Sequence, residues 1–155
     1  MRFTGNIEAK TDNKGRVFLP AYFRRILQSE GCDRLFLRKD PYQQCLVLYP
    51  DATWNKLVDE LRGKLNRWNA KDQMLFRMFV TDAEELTIDS NGRVLLPKRY
   101  RDMTGITQEV RFLGMDDTIE IWSNDKLEQS FMGIEDFGSE LEKVMQREKG
   151  EEHGE

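Results

Sequence analysis

Histidine and cysteine are scarce in this sequence, and their scarcity excludes several kinds of site. The 155 residues include one histidine, His153, and two cysteines, Cys32 and Cys45. Nucleophilic triads and dyads usually need a histidine, and a zinc site needs four ligands of these residue types. The cysteines form no CxxC pair, so we expect them to pack as small, reduced apolar groups. The sequence therefore predicts no metal site.

Long apolar runs and nucleotide-binding motifs are also missing. No stretch approaches the ~18 apolar residues of a membrane helix, and the start MRFTGNIEAK lacks the apolar core of a signal peptide. There is no GxGxxG, P-loop or HExxH motif. The acidic pairs Glu84–Glu85 and Asp116–Asp117 fall in a predicted strand and a predicted hairpin turn, which suit no acid–base couple. We expect a cytoplasmic protein that is not an enzyme and has no cofactor and no membrane contact.

Positive charge is in the minority overall but is concentrated locally. The chain has 24 basic and 28 acidic residues, a net charge of −4. Residues 139–155 hold six acidic and three basic residues, whereas residues 1–27 hold six basic and two acidic ones. Local patches rather than whole-chain charge contact phosphates. The first 27 residues are therefore a candidate nucleic-acid contact.

One ten-residue motif occurs twice. TDNKGRVFLP covers residues 11–20 and IDSNGRVLLP covers residues 88–97. In each copy a glycine suits a turn with positive φ, the alternation after it predicts a strand, and a proline ends that strand and can begin a helix. Weaker likeness continues downstream, between residues 34–40 and 110–116 and between residues 46–50 and 119–123. The repeat predicts two like halves related by a pseudo-two-fold axis.

This pattern predicts an α+β fold built from two halves with flanking helices. We divide the chain into a first half (1–69), a connecting helix (70–81), a second half (82–138) and an acidic flexible tail (139–155), with a fraying helix and then disorder in the tail. Apolar spacing from Trp54 to Trp68 predicts a helix of about four turns after Pro50, capped by Asp51 or Thr53. Interleaving the halves would close the sheet and remove exposed edges.

The arginine of each motif admits two interpretations. Asp12 could cap the turn and pair with Arg16, as Asp89 could with Arg93, and such exposed pairs contribute only ~0–1 kcal/mol. Alternatively, the planar guanidinium contacts phosphate or a guanine edge. The predicted DNA-binding residues are Arg16, Lys14, Lys10, Arg24, Arg25 and Arg93, and the predicted turn-forming residues are Asp12, Gly15, Asp89 and Gly92. We expect Arg16 to matter more than Arg93, because the second copy is more acidic.

The doubled D-x-x-G-R-V-x-L-P segment resembles the core motif of the AbrB-like (SpoVT-AbrB) superfamily of bacterial DNA-binding proteins. Two copies in one chain, with MRFTG at the start, LVLYP…W between them and IEIW after them, closely resemble the MraZ family of transcriptional regulators. The resemblance implies a small swapped-hairpin β-barrel formed within one chain. It also implies ring-shaped homo-oligomers on the nucleoid that bind repeated boxes in double-stranded promoter DNA, usually as repressors of their own division and cell-wall gene cluster.

Three other functions stay open at this point. An AbrB-like antitoxin would use its tail to hold a toxin, although the tail here has few large apolar residues. A structural ring protein would not bind DNA at all. A small-molecule barrel would need convergent polar groups in its core, which the pattern does not predict. We expect copies to associate through the β bodies, because the acidic tails repel one another.

Overall fold

The computed structural model describes residues 1–148, which form eight strands and five α-helices. The strands are β1 (Asn6–Lys10), β2 (Arg16–Phe18), β3 (Arg34–Lys39), β4 (Leu46–Pro50), β5 (Glu84–Thr87), β6 (Arg93–Leu95), β7 (Glu109–Met115) and β8 (Thr118–Ser123). The helices are α1 (Ala21–Ser29), α2 (Asp51–Lys64), α3 (Ala70–Thr81), α4 (Lys98–Thr104) and α5 (Ile134–Met145), and a 3₁₀ turn covers Leu127–Ser130. The predicted α+β class is confirmed.

Strands of the two halves are interleaved in the structure. Six strands form one antiparallel sheet in the order β1-β7-β8-β4-β3-β5, and β2 pairs with β6 in a separate ribbon. Thus β1 of the first half pairs with β7 of the second, β5 of the second pairs with β3 of the first, and β4 meets β8 at the centre. This exchange follows the predicted pseudo-two-fold symmetry.

The closed barrel is not confirmed. Within residues 1–148 the six-stranded sheet ends at β1 on one side and β5 on the other, so its hydrogen bonding does not close. The ribbon β2–β6 shares one core with this sheet. The core draws equivalent side chains from both copies, including Val17 and Val94, Leu19 and Leu96, and Phe23 and Tyr100. Both motifs are therefore needed to complete one core.

Helix α2 is shorter than the apolar spacing predicts. It begins at Asp51 directly after Pro50, and Leu65 leaves it with an extended backbone at φ −105° and ψ 148°. Trp68 lies beyond the helix and is 94% exposed. The predicted capping position at Asp51 or Thr53 is wrong, because Pro50 holds it; Asp51 lies inside the first turn, where its Oδ1 accepts a hydrogen bond from the Ala52 amide at 2.9 Å. Side-chain capping occurs instead at α3, where Asn69 accepts a hydrogen bond from the Asp72 amide.

A ring cluster fastens α2 and α3 to the outer face of the sheet. Trp54 of α2 stacks between Phe36 of β3 and Phe79 of α3, with ring centroids 5.4 Å apart in both pairs. Tyr49 and Val47 complete this second apolar cluster. Aromatic stacking adds to the burial of the rings, so the helical hairpin has a fixed place on the body.

Helix α5 crosses the predicted boundary between the second half and the tail at residues 138–139. It is regular from Ile134 to Met145, and each of its residues is exposed. The predicted disorder concerns the end of the chain, of which residues 149–155 lie outside the described residues. In residues 1–148 no helix combines the length and apolar character needed to cross a membrane.

Candidate nucleic-acid interface

The first motif forms a turn in which two backbone amides and one guanidinium donate to a single carboxylate. Asp12 Oδ1 accepts hydrogen bonds from the backbone amides of Lys14 and Arg16, each at 2.9 Å. Its Oδ2 accepts a hydrogen bond from Arg16 Nε at 2.7 Å. Gly15, at φ +88°, supplies the left-handed conformation that the turn requires. The aspartate therefore holds both the backbone and the arginine that follows it.

The second motif repeats this geometry almost atom for atom. Asp89 Oδ1 accepts from the amides of Asn91 and Arg93 at 2.9 and 2.8 Å, and Oδ2 accepts from Arg93 Nε at 3.0 Å. Gly92 has φ +84°. The structural interpretation of the aspartates and glycines thus matches the geometry in both copies.

These contacts lower the pKa of both turn carboxylates. Donation from the Arg16 backbone amide is the main cause at Asp12, helped by the Arg16 side chain and the Lys14 amide, and the pKa falls to about 2. At Asp89 the Arg93 amide lowers the pKa in the same way. Both carboxylates are consequently ionised near neutral pH and keep their arginines in place.

Each motif arginine uses only one edge of its guanidinium in the turn. Nε is bound to the aspartate, and the terminal nitrogens of Arg16 and Arg93 have no hydrogen-bond partner among residues 1–148, although the Arg93 guanidinium lies 6.0 Å from the centroid of the Phe18 ring. The two side chains are 38% and 24% exposed. A guanidinium fixed at Nε presents its remaining N–H donors outward in a set direction. That arrangement favours contact with a phosphate or a base edge.

The ribbon of β2 and β6 brings the two arginines onto one exposed face. Arg16 lies opposite Leu95, and Phe18 lies opposite Arg93, while Val17 and Val94 face the core. Because side chains alternate along a strand, these two cross-strand pairs share the outer face, opposite to the two valines. Diagonal neighbours in such a ladder are roughly 7–8 Å apart. The outer face therefore carries two arginines at one diagonal and two exposed apolar side chains, Phe18 and Leu95, at the other.

Each motif turn is braced by an arginine from the opposite half. Arg24 of α1 donates from Nε to the Leu19 carbonyl at 2.9 Å, and its guanidinium packs on Gly92. Arg101 of α4 donates to the Leu96 carbonyl at 2.9 Å and packs on Gly15. A Cβ on either glycine would lie 2.7 Å from the nearest guanidinium atom, so these positions need glycine for space as well as for φ.

This bracing changes the place of Arg24. Arg24 and Arg25 are both predicted as DNA contacts, but only Arg25 is exposed, whereas Arg24 is half-buried and its guanidinium lies at the second turn. Arg101 follows the second motif at the same distance as Arg24 follows the first, but the sequence gives no sign that each side chain crosses to the other half. The predicted charge asymmetry is also weaker, since the second turn gains Arg24 and the first gains Arg101.

The remaining predicted cations are free and exposed. Lys10, Lys14 and Arg25 are exposed, and none has a side-chain partner among residues 1–148. Lys14 sits in the first turn, and Lys10 ends β1 beside the ribbon. Within the same residues, no cluster of metal-ligating side chains occurs and no buried side-chain nitrogen or oxygen lacks a hydrogen bond.

Comparison with known proteins points to one family across the whole described chain. The model of the family described as "MraZ protein, putative antitoxin-like" matches twice, over residues 2–78 and 79–147. The two matches meet inside α3, between the halves that exchange strands.

Curated relatives agree in name over nearly their full lengths. A protein of Phocaeicola vulgatus is 60% identical over 145 residues, 94% of each chain. A protein of Bacteroides fragilis is 56% identical over 149 residues, 96% of this chain and 94% of the relative. A protein of Stenotrophomonas maltophilia is 32% identical over 143 residues, 90% and 96% of the two chains. All three are named Transcriptional regulator MraZ.

Proposed function

Because the chain belongs to the MraZ family, we propose that it is a transcriptional regulator that binds double-stranded DNA through the ribbon β2–β6 and its two flanking turns. The observation that carries the proposal is the pair Arg16 and Arg93 on one outer face, each aimed by its own aspartate. The major groove admits a two-stranded ribbon, and arginine reads guanine there. Under this proposal the protein acts without enzymatic chemistry.

The free cations beside the ribbon support a second layer of contact. Lys10, Lys14 and Arg25 are placed to meet phosphates, which position a protein on the duplex without reading its sequence. We assign Arg24 to the bracing of the second turn instead. Each face has few cations and the chain carries −4 overall, so one copy should bind weakly. Ring-shaped assembly on repeated promoter boxes would multiply that affinity.

The wider role follows the family. We propose that the protein works in the cytoplasm on the nucleoid and represses its own division and cell-wall gene cluster. Swapped hairpins closing into a barrel also remain a prediction, supported by the exchange of β1 and β5 between halves.

Substitution of the two arginines tests the proposed interface. On DNA from upstream of the protein's own gene, Arg16→Ala and Arg93→Ala should each cost about 1–3 kcal/mol of binding free energy. The exposed Lys56→Ala on α2 serves as the control and should leave affinity unchanged. Fluorescence anisotropy at several salt concentrations measures the effect, and thermal unfolding shows whether each variant is folded.

A lysine variant separates the two kinds of contact. Arg16→Lys keeps the charge but loses the planar fork, so a phosphate contact would survive and guanine recognition would not. Loss of a phosphate contact in Arg16→Ala should flatten the log–log salt slope by ~0.9. If both alanine variants are folded and bind DNA like the parent protein, the ribbon is not the DNA interface. The remaining interpretations would then be a structural ring protein that does not bind DNA and an antitoxin.

A further inference from the structure

The outer face of the ribbon β2–β6 carries an apolar side chain at the same position of each motif. Phe18 and Leu95 both lie three residues after the turn glycine, and they are 58% and 48% exposed. The core takes Val17 and Val94 from the opposite face of the ribbon and does not include Phe18 or Leu95. Single apolar side chains on a surface are ordinary, but this one occurs in both copies beside a motif arginine.

Each of these apolar side chains lies directly across the ribbon from an arginine of the other motif. Phe18 pairs with Arg93, and Leu95 pairs with Arg16. Side chains paired in this way have Cβ atoms about 4.5–5.5 Å apart. The Arg93 guanidinium lies 6.0 Å from the centre of the Phe18 ring. Because each turn aspartate holds its arginine at Nε, the guanidinium and its apolar neighbour form a unit of set spacing.

The spacing of this unit suits neighbouring base pairs of DNA. Successive base pairs are about 3.4 Å apart along the duplex. A guanidinium on one base pair therefore places its apolar neighbour over an adjacent base pair. In the major groove thymine presents a C5-methyl group, which apolar side chains recognise by contact. Phosphates and the polar base edges offer an exposed phenyl or isobutyl group no comparable partner.

We propose that Phe18 and Leu95 are specificity-determining residues that contact thymine methyl groups in the major groove. Each thymine lies next to the base pair that the arginine across the ribbon contacts. The inference rests on the proposed function, because it requires the ribbon to enter that groove. It adds a second kind of base recognition, in which the apolar side chain buries a methyl group while the arginine forms hydrogen bonds.

Two other roles for this apolar pair lead to different results. A second copy of the chain could cover the pair, and truncation of Phe18 would then lower the assembled mass. Apolar side chains can also wedge between base pairs from the minor groove and kink the duplex. That groove is only about 6 Å wide, which is too narrow for a two-stranded ribbon. A wedge there would also be indifferent to the thymine methyl group, which lies in the major groove.

Removal of single methyl groups from the DNA tests the proposal. The footprint of the parent protein upstream of its own gene defines a short duplex, in which each thymine is replaced in turn by deoxyuridine. The parent protein should bind about fourfold more weakly where a contacted methyl group is lost, as expected for one buried carbon. Phe18→Ala should bind the thymine duplex more weakly and lose nothing further at one of these positions. Leu95→Ala should behave in the same way at another.

An exposed aromatic residue outside the ribbon provides the matched control. Tyr42→Ala, in the loop between β3 and β4, should keep the full methyl effect at every position. Fluorescence anisotropy measures the affinities, and thermal unfolding shows whether each variant is folded. If Phe18→Ala does not fold, Phe18→Gln decides the same point, because it keeps a long side chain and loses the apolar contact.

Two results would overturn the inference while leaving the proposed function in place. In the first, the parent protein binds the duplex and no deoxyuridine weakens it. In the second, both alanine variants keep the methyl effect, and a lower mass of Phe18→Ala by light scattering would then assign the pair to contact between copies. The proposed function fails by a different result, in which the parent protein binds no DNA or the alanine variants of Arg16 and Arg93 lose no affinity. That result would remove this inference as well.

Discussion

Arg24 and Arg25 are neighbours in the sequence, yet their surroundings differ and so do their roles. Arg24 is half-buried, binds the Leu19 carbonyl and packs on Gly92, whereas Arg25 is exposed without a partner in residues 1–148. We predict that Arg24→Ala lowers the free energy of unfolding by about 1.5–3 kcal/mol, because a charged hydrogen bond is lost. Arg25→Ala should stay within about 0.5 kcal/mol of the parent protein. Urea unfolding of both variants provides the comparison, and equal stability would contradict the bracing role.

The turn carboxylates predict a dependence of stability on pH. Asp12 has a folded pKa of about 2, below its usual value, so its stabilising charge is present above about pH 4 and is lost as pH falls towards 2. Asp12→Asn should therefore melt at a lower temperature than the parent protein at pH 7. The difference should shrink below about pH 4 and be almost gone at pH 2. Asp117→Asn, at an exposed hairpin position, is the control. A difference that stays constant with pH would contradict this assignment.

The sequence predicted these turns well because their chemistry is local. Gly15, Asp12 and Arg16 lie within five residues, so spacing alone indicates how they meet. The crossing of Arg24 to Gly92 joins residues 68 positions apart and depends on the exchange of halves. No local pattern shows such a contact, which is why Arg24 was grouped with Arg25.

At the scale of elements, the ring cluster around Trp54 decides where the helical hairpin sits. Trp54 stacks on Phe36 and Phe79, with interplanar angles of 18° and 9°. We predict that Trp54→Ala costs about 3–5 kcal/mol, the usual range for a buried aromatic side chain. Tyr42→Ala, at a position that is 89% exposed, should have almost no effect. Chemical unfolding followed by circular dichroism measures both, and a small loss for Trp54→Ala would show that α2 is held by other contacts.

Elements with strong local signals were predicted best. The strands after Gly15 and Gly92 and the helices after Pro20 and Pro97 follow from turn chemistry and alternation. The end of α2 was not predicted correctly, because Leu65 and Trp68 continue the apolar spacing although the chain has already left the helix. Both residues lie outside the core. The spacing of apolar residues along the sequence cannot distinguish such positions from buried ones.

At the scale of the whole molecule, the exchange of strands makes each half dependent on the other. Fragments 1–82 and 83–155 should each lack stable structure, because β1 and β5 then have no partner strand. Mixing them should restore the circular dichroism of the intact chain. A second fragment with Val94→Asp is the control and should not reassemble, since Val94 is buried opposite Val17. A first fragment that folds alone would contradict the dependence.

The strand order also determines when β1 can pair during synthesis on the ribosome. Strand β1 is made almost first, but its partner β7 begins at Glu109, about 100 residues later. At about 5–20 residues per second, the first strand waits roughly 5–20 s before its partner exists. Throughout that interval the emerging chain presents an unpaired edge with Ile7 and Ala9 uncovered. Newly made chains are thus open to chaperones, and to one another, until the second half has been translated.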